Sequence, residues 1–304
     1  MKNEPIRHHY IPQFILRNFC FDDNNNLYYY DRESNTVSVK KTQYVFMERN
    51  LYRDEINSPE EKTKIETDLA KYESEVAKII NERFLHGNDI YLTLEEDEKL
   101  KLFFAIMGFR NENAYRLFDG NITEESKVFY LKYQRDGNFN DFWKRNLGQL
   151  ANCRSLKDVF DNPLIDEPIK AFMARDTYNL AGKYFVVVEK RGDRDFVIGN
   201  SYPTGITGYD DEKKGLVLLM FEIFPLSPNR VLLFAANGVD NAPKVASRLR
   251  YDIFRRPILN EQTGKIRIHV KKIYKNDVDF INEAIVNNSK IGFAFRDKSH
   301  INLE

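Results

Sequence analysis

Two adjacent histidines near the start of the chain, His8 and His9, are the side chains best suited to proton transfer near neutral pH. An imidazole can act as a general base, contact a phosphate or bind a metal ion. Neighbouring residues of an extended segment point to opposite faces, so one histidine of the pair is expected in any single pocket. The alternative is structural, with one imidazole bonded to the backbone of a loop and the other exposed to solvent.

Two glutamates and an arginine provide the charges that a site at these histidines would need. Glu66 and Glu73 are two turns apart in a predicted helix and therefore share a face. Each follows an apolar residue at the edge of a buried stripe, which places it either in a cleft or on a solvated flank. Arg110 closes the apolar run of the next predicted helix. It either pairs with one of the glutamates as a structural bridge or clamps an anion such as phosphate.

These residue types together can bind and cleave a phosphodiester. His8 or His9 would act as the base, and Glu73 would orient that base or hold a metal ion. Arg110 would stabilise the charge that develops on the phosphate. Glu66 and Glu73 are the expected ligands of a metal ion, Mg²⁺ or Mn²⁺. The sequence contains no P-loop, no GxGxxG that opens a helix, no HExxH and no GxSxG.

The elements that position these residues are predominantly helical in the first half of the chain. Aromatic and β-branched residues around a turn predict a hairpin at residues 27–39. Ser58 is the expected N-cap of a helix that continues to about Phe84, with apolar residues every three or four positions. Thr93 and Glu96 form a capping box that opens a second helix toward Leu117. Weaker helical patterns occupy residues 123–135, 138–150 and 165–178.

The hydrophobic period changes to that of β-strands near residue 183. Short β-rich runs split by Gly, Pro, Asn and Asp predict a largely antiparallel sheet. Residues 266–271 alternate strictly between apolar and polar, and a last helix opens at Asn276. The predicted fold is α+β, with a helix-rich N-terminal half after a β-hairpin, a largely antiparallel sheet in the C-terminal half and a terminal helix. We expect one interlocked domain over residues 1–304, or its subdivision into a helical part, 1–180, and a sheet part, 181–304.

The formal net charge is zero, but the charges are unevenly distributed. Residues 244–275 carry 10 Lys and Arg against 2 Asp and Glu, with aromatic residues interleaved. This composition is typical of a nucleic-acid surface, although a solvated face would look the same, and the overall neutrality counts against a large non-specific DNA-binding protein. The candidate contacts to nucleic acid are Arg250, Arg255, Arg256, Arg267, His269 and Lys271.

The cysteine content and the apolar runs indicate a cytoplasmic protein. Cys20 and Cys153 are far apart and lack CxxC spacing, which argues against a disulfide scaffold or a structural zinc site. No apolar run reaches the roughly 18 residues of a membrane span, and the first residues lack the apolar core of a signal peptide. We therefore expect no membrane partner. The sequence does not define the oligomeric state.

Several blocks of the chain, in order, resemble the domain of unknown function 4238 family. The matching blocks are His8-His9-Tyr10-x-Pro12-x-Phe14-x-Leu16-x-x-Phe19, the helix with Glu66 and Glu73, Phe104-Ala105 with Arg110, the turn ending at Pro203, Pro225-Leu226-Ser227-Pro228, and Asn282. The first block is the most specific, and the match spans nearly the whole chain. The resemblance implies no assigned activity, and it suggests a bacterial or mobile-element setting with conflict with phage.

One position departs from the family pattern. Where many relatives look like Ser-Asp-x-Pro, this chain reads Asn200-Ser201-Tyr202-Pro203, so that Ser201 takes the place of the aspartate. If that aspartate is a metal ligand or a base in relatives, activity here is lost or rerouted. Asn200 and Ser201 are accordingly candidate binding residues.

Three hypotheses follow from these observations. The first is a metal-assisted nuclease or related phosphodiesterase, which requires the histidine pair, Glu73 and Arg110 to meet in one cleft. The second is a non-catalytic module or sensor that binds nucleic acid or protein, with a basic face whose binding weakens as salt rises. The third is a hydrolase or transferase that acts on a small phosphorylated or nucleotide ligand, which requires a deep, closed and partly apolar pocket.

Overall fold

The computed structural model describes residues 6–110, 139–177, 183–210, 216–236, 249 and 253–301. Its helices are α1 (Gln13–Arg17), α2 (Lys64–Ile79), α3 (Leu94–Arg110), α4 (Phe139–Leu150), α5 (Leu156–Asp161), α6 (Glu167–Thr177) and α7 (Lys275–Asn288). Its strands are β1 (Arg7–His9), β2 (Asn26–Asp31), β3 (Thr36–Lys41), β4 (Met47–Arg49), β5 (Asp89–Thr93), β6 (Lys183–Lys190), β7 (Ile198–Gly199), β8 (Thr204–Asp210), β9 (Leu216–Pro225), β10 (Arg230–Ala236), β11 (Ile258–Asn260), β12 (Lys265–Ile273) and β13 (Gly292–Phe295). The predicted α+β class is confirmed.

The strands of the described residues form three sheets. The largest has the order β11-β12-β6-β10-β9-β8, and β5 pairs with β12 as well. Its neighbouring strands are antiparallel except for β12 and β6, which run parallel, so the prediction of a largely antiparallel sheet is confirmed. The second sheet has the order β3-β2-β13-β7, and β1 pairs with β4 in the third.

The separation of the chain into a helical half and a sheet half is looser than predicted. The predicted hairpin is present as β2 and β3, but β2 also pairs with β13, which follows the last helix. The early strand β5 joins the large sheet through β12. Each of these pairings joins segments that are far apart in sequence, and hydrophobic periodicity carries no information about such partners.

The start of α2 corrects the predicted helix boundary at Ser58. The helix begins at Lys64, and residues 58–63 form turns. The buried Asp54 accepts a hydrogen bond from the Asn57 backbone, and its own backbone N–H donates to the Lys62 carbonyl, at 2.9 Å in each case. These bonds hold the segment in a loop. To form a helix, the same backbone groups would have to exchange these partners for intrahelical ones.

The helix α3 lies at the centre of the main core. Nearly every residue of this helix from Leu100 onward is buried. Phe104 packs edge-on against Phe185 and Phe224 of the large sheet, with ring centroids 5.8 and 4.6 Å away. The predicted capping box starts the helix, since Thr93 and Glu96 exchange side-chain to backbone bonds of 2.8 and 3.1 Å. The last described residue of α3 is Arg110, which the core therefore holds in place. In the part of the chain that the structure describes, every helix is too short or too polar to cross a bilayer.

The pairing of β13 with β2 gives a first testable prediction, at Gly292. A Cβ at this position would overlap the Tyr30 carbonyl oxygen and the Tyr29 hydroxyl, so Gly292→Ala must push the two strands apart. We expect a loss of about 2–3 kcal/mol in the free energy of unfolding, measured by urea denaturation. The control is Gly108→Ala in α3, where the added Cβ meets Glu222 at an ordinary 3.8 Å. Equal stability of the two variants would contradict the pairing.

Candidate functional site

Arg110 organises a cluster of polar side chains at the end of α3. Its side chain is 1% exposed, and Nη1 donates to Glu73 Oε1 at 2.6 Å. Nη2 donates to the His9 carbonyl oxygen at 2.7 Å. The guanidinium also lies over the ring of Tyr52, with 5.6 Å from Cζ to the ring centroid. The site residues predicted on α2, α3 and the first strand are thus brought together around one buried cation.

His8 makes structural contacts inside the protein. Its side chain is buried, and Nδ1 accepts the backbone N–H of Tyr52 at 2.7 Å. Its ring is also parallel to that of Tyr52, with the centroids 5.5 Å apart. An Nδ1 that accepts a hydrogen bond places the ring proton on Nε2. Of the two alternatives raised by the sequence for this imidazole, its contacts match the structural one.

His9 points to the other side of the strand and is partly exposed. Its Nε2 lies 3.3 Å from the Thr42 carbonyl oxygen, so this nitrogen carries the proton and Nδ1 carries the lone pair. Burial lowers the pKa of His9 from 6.5 to about 4, the hydrogen bond to Thr42 opposes this, and the charge of Arg110 adds to it. The imidazole is therefore neutral at pH 7 and has a nitrogen able to accept a proton.

Glu66 and Glu73 lie near the same cation but differ in their surroundings. Glu73 accepts the hydrogen bond from Arg110 described above. Burial raises the pKa of Glu66 from 4.5 to about 7, with the charge of Arg110 opposing and that of Glu73 adding to the shift. Glu66 therefore exchanges its proton near neutral pH, while Glu73 holds the arginine.

Tyr202 is a member of this cluster that sequence reasoning missed. Its side chain is 1% exposed, and the nearby charge of Arg110 partly opposes the rise in its pKa that burial causes. Within the described residues, neither its hydroxyl nor Nε of Arg110 has a hydrogen-bond partner. The one available signal was its place in the Asn200-Ser201-Tyr202-Pro203 segment. We refer to His9, Tyr52, Glu66, Glu73, Arg110 and Tyr202 as the Arg110 cluster.

Asn200 and Ser201, predicted as binding residues, bond to the backbone of the C-terminal segment. Asn200 Oδ1 accepts the N–H of Ile291 at 3.0 Å, and Ser201 Oγ donates to the Asn288 carbonyl oxygen at 2.6 Å. An ionised aspartate in place of Ser201 has no proton to donate to that carbonyl. The hydroxyl of Ser201 thus links the segment after β7 to the end of α7, which an aspartate could not do in the same way.

The basic residues predicted to contact nucleic acid lie on elements other than those of the Arg110 cluster. Arg267 and His269 are exposed on one face of β12, as the alternation predicted, while Ile266, Ile268 and Val270 are buried on the other. Both bind Asp89: Arg267 through two contacts of 3.0 and 3.1 Å and His269 through Nδ1 at 3.0 Å.

The remaining basic candidates are less uniform. Arg255 and Arg256 are exposed, with Arg256 5.2 Å from the centroid of the Tyr184 ring. Lys271 is half-buried, and Arg250 lies outside the described residues.

The predicted metal ligands Glu66 and Glu73 are both close to Arg110. Across the described ranges, no group of three or more His, Cys, Asp and Glu side chains is arranged to hold a metal ion. Two carboxylates remain a minimal donor set, since Mg²⁺ is commonly held by one or two carboxylates and water.

Comparison with known proteins assigns the chain to a family. The family model described as Protein of unknown function (DUF4238) matches residues 7–299. The chain belongs to this family, as the resemblance predicted. Neither the curated proteins nor the solved structures contain a significant match.

The raised pKa of Glu66 gives a prediction for stability against pH. The folded state binds the Glu66 proton more tightly than the unfolded state, so the wild type loses stability as pH rises from 4.5 to 7. Glu66→Gln has no such proton to lose. We expect this variant to be more stable than wild type by roughly 3 kcal/mol at pH 8, with the difference vanishing near pH 4.

Chemical denaturation of both proteins at a series of pH values measures this difference. Glu82→Gln, at an exposed position just beyond α2, serves as the matched control and should follow the wild type. A stability difference for Glu66→Gln that is constant over the whole pH range would contradict the burial of this carboxyl.

Proposed function

We propose that the protein is a phosphodiester hydrolase that acts on nucleic acid, with the Arg110 cluster as its active site. The observation that carries the proposal is the pair formed by Glu66 and His9. Their surroundings move the two pKa values in opposite directions, to about 7 and about 4, near one fixed cation. A protonated carboxyl and a neutral imidazole in one site supply an acid and a base at neutral pH.

Each member of the cluster has a distinct part in the proposed reaction. His9 accepts a proton from the attacking water through Nδ1, and Glu66 donates a proton to the leaving oxygen. Arg110 stabilises the negative charge that develops on the phosphate. Glu73 keeps the guanidinium oriented through its 2.6 Å hydrogen bond. This arrangement departs from the sequence prediction by giving Glu66, rather than His8, a direct part in proton transfer.

Mg²⁺ or Mn²⁺ is the proposed cofactor. Glu66 and Glu73 are the residues that would hold it. With the ion bound, Glu66 would be an ionised ligand and not the acid, and water would supply the proton for the leaving oxygen. When bound, the ion would supply a polarised water and neutralise phosphate charge.

The exposed basic residues are the proposed contacts to the nucleic-acid backbone. Arg255, Arg256 and Arg267 present positive charge to solvent and His269 an exposed imidazole, although Asp89 neutralises part of the charge on β12. Cys20 and Cys153 are free thiols, which accords with a reducing compartment such as the cytoplasm. A nuclease in that compartment could act in conflict with phage, as the family resemblance suggested.

Two observations favour other functions. The terminal nitrogens of Arg110 and the Nδ1 of His8 are engaged inside the protein, which suits a binding or sensor module with a structural clasp. The near-complete burial of Arg110 and Tyr202 instead suits a hydrolase of a small phosphorylated ligand.

Cleavage assays test the proposal directly. Purified protein is incubated with mixed RNA and DNA, with and without Mg²⁺ or Mn²⁺, over a range of pH. We expect metal-free cleavage to fall as pH rises above about 7, where Glu66 loses its proton, and as pH falls below about 4, where His9 gains one. Glu66→Gln should reduce the rate by about 10²–10⁴-fold.

His86→Ala, at an exposed histidine outside both the cluster and the proposed nucleic-acid contacts, serves as the control and should keep the cleavage rate. Cleavage that is equal in wild type and Glu66→Gln would exclude the assigned acid. No cleavage of RNA or DNA under any condition, together with salt-sensitive binding, would support the non-catalytic module. Hydrolysis of a small phosphate ester alone would support the small-ligand enzyme.

A further inference from the structure

Aromatic side chains form a continuous row on one face of the second sheet. Tyr28 of β2 pairs with Phe295 of β13, and Tyr30 pairs with Phe293. The ring centroids of Tyr28 and Phe295 are 5.8 Å apart, and Phe293 lies 5.9 Å from Phe295 and 4.9 Å from Tyr30. Phe21, in the loop before β2, extends the row by stacking on Tyr28 at 4.7 Å. We refer to these five side chains as the aromatic row.

The row begins in the core and ends in solvent. Phe293 and Phe295 are buried, whereas Phe21 is 40% exposed. A single exposed aromatic side chain is ordinary in a folded protein. Phe21 differs from that case because its ring already lies on a stack, with 28° between its plane and that of Tyr28. A further flat ring placed on Phe21 would therefore continue the row.

The loop that carries Phe21 is closed by its own hydrogen bonds. The backbone N–H of Phe21 donates to the Asn26 carbonyl oxygen at 2.9 Å. Asp22 accepts the backbone N–H of Asn26 at 2.9 Å and its side-chain amide at 2.7 Å. These bonds fix the loop to the start of β2, so a ligand on Phe21 would meet a ring that is already in place. Such preorganisation lowers the entropic cost of binding.

Positive charge lies beside the exposed end of the row. Nζ of Lys298, an exposed residue, is 4.8 Å from the centroid of Tyr28, the ring on which Phe21 stacks. Val39 of β3 lies opposite Tyr28 on the same face and is 53% exposed. Lys41, two residues further along β3, is exposed on that face as well.

Two acidic side chains in the neighbouring segments bond within their own turns. The carboxylate of Asp22 binds Asn26 as described above, and that of Asp297 accepts the backbone N–H and the hydroxyl of Ser299 at 2.9 and 2.8 Å. The lysines thus stand next to an aromatic surface that an anionic ligand can approach. A nucleobase has a flat face for stacking, and its phosphate carries the negative charge that suits a lysine.

We propose that Phe21 is a stacking platform for a base of single-stranded nucleic acid, with Lys298 as a contact to the adjacent phosphate. A single strand is required because the bases of a duplex are already stacked on one another, whereas unpaired bases can stack on aromatic side chains. The choice of nucleic acid rests on the proposed function, whereas the exposed end of the aromatic row does not.

Phe21→Trp tests the contact directly, because it places a fluorescent ring at the end of the row. The native tryptophan, Trp143, is buried and donates its ring N–H to the Phe109 carbonyl oxygen at 3.0 Å, so its signal is a constant background. The full chain is titrated with a single-stranded oligonucleotide and with an abasic strand of the same length. Both strands have phosphorothioate linkages, which resist hydrolysis, so that binding is measured apart from cleavage. We expect quenching of Trp fluorescence by the first strand and not by the second.

Phe21→Ala tests the energetic importance of the ring. We expect its dissociation constant for the base-containing strand to rise at least about fivefold, because one base loses its stacking partner. Its affinity for the abasic strand should equal that of wild type, and Phe21→Tyr should restore tight binding. The matched control is Phe160→Ala, at a 44% exposed phenylalanine of α5, which should bind both strands as wild type does. Melting temperatures verify that each variant is folded.

Three results would overturn the inference. They are equal affinity of wild type and Phe21→Ala for the base-containing strand, equal quenching of Phe21→Trp by the abasic strand, and no binding of either strand by the wild type. Cleavage of duplex nucleic acid that is undiminished in Phe21→Ala, together with any of these results, would leave the proposed function standing without the platform. Base-dependent quenching in a protein that cleaves no nucleic acid would refute the proposed function and support the stacking site.

Discussion

The burial of a single guanidinium is the constraint on which the N-terminal part of the structure depends. Arg110 lies at the end of a helix that the core surrounds, and a charge in that position must be fully compensated. Glu73 provides the opposite charge from α2, and the His9 carbonyl provides the second acceptor from β1. Removing one partner of a buried pair of this kind costs about 3–5 kcal/mol. The first strand, α2 and α3 are therefore tied to one another through one side chain.

The same charge also sets the chemistry of its neighbours. It adds to the effect of burial on His9, which stays neutral, and it opposes the effect of burial on Glu66, whose pKa still reaches about 7. A cation that is held by Glu73 and by the His9 carbonyl oxygen keeps its position, so it acts on its neighbours through its electric field. The nitrogens of Arg110 therefore differ in their surroundings. The terminal nitrogens hold neighbouring elements together, whereas Nε has no hydrogen-bond partner in the described part of the chain.

The sequence predicted those features that depend on residues close to one another in the chain. The capping box of Thr93 with Glu96 and the alternation of β12 are local, and both are present. The pairing of Arg110 with a glutamate could also be predicted, because a charged side chain at the end of an apolar helix needs a partner of opposite charge. The Ser58 boundary was wrong because Asp54 binds that segment through contacts that no helix rule includes. Tyr202 was missed because its relation to Arg110 exists only after the sheet has formed.

The adjacent histidines illustrate why a sequence motif alone does not define an active site. Consecutive side chains of a strand point to opposite faces. His8 and His9 therefore lie in different surroundings and have different roles. His8 faces inward, where its bond to the Tyr52 backbone fixes the loop that also supplies the ring under Arg110. His9 faces the cluster, and its backbone carbonyl anchors the same arginine. Loss of activity on replacing both histidines would therefore mix a folding effect with a chemical one. A side-chain variant of His9 keeps the backbone carbonyl that Arg110 binds. That single replacement therefore tests the chemical role of the imidazole separately from its effect on folding.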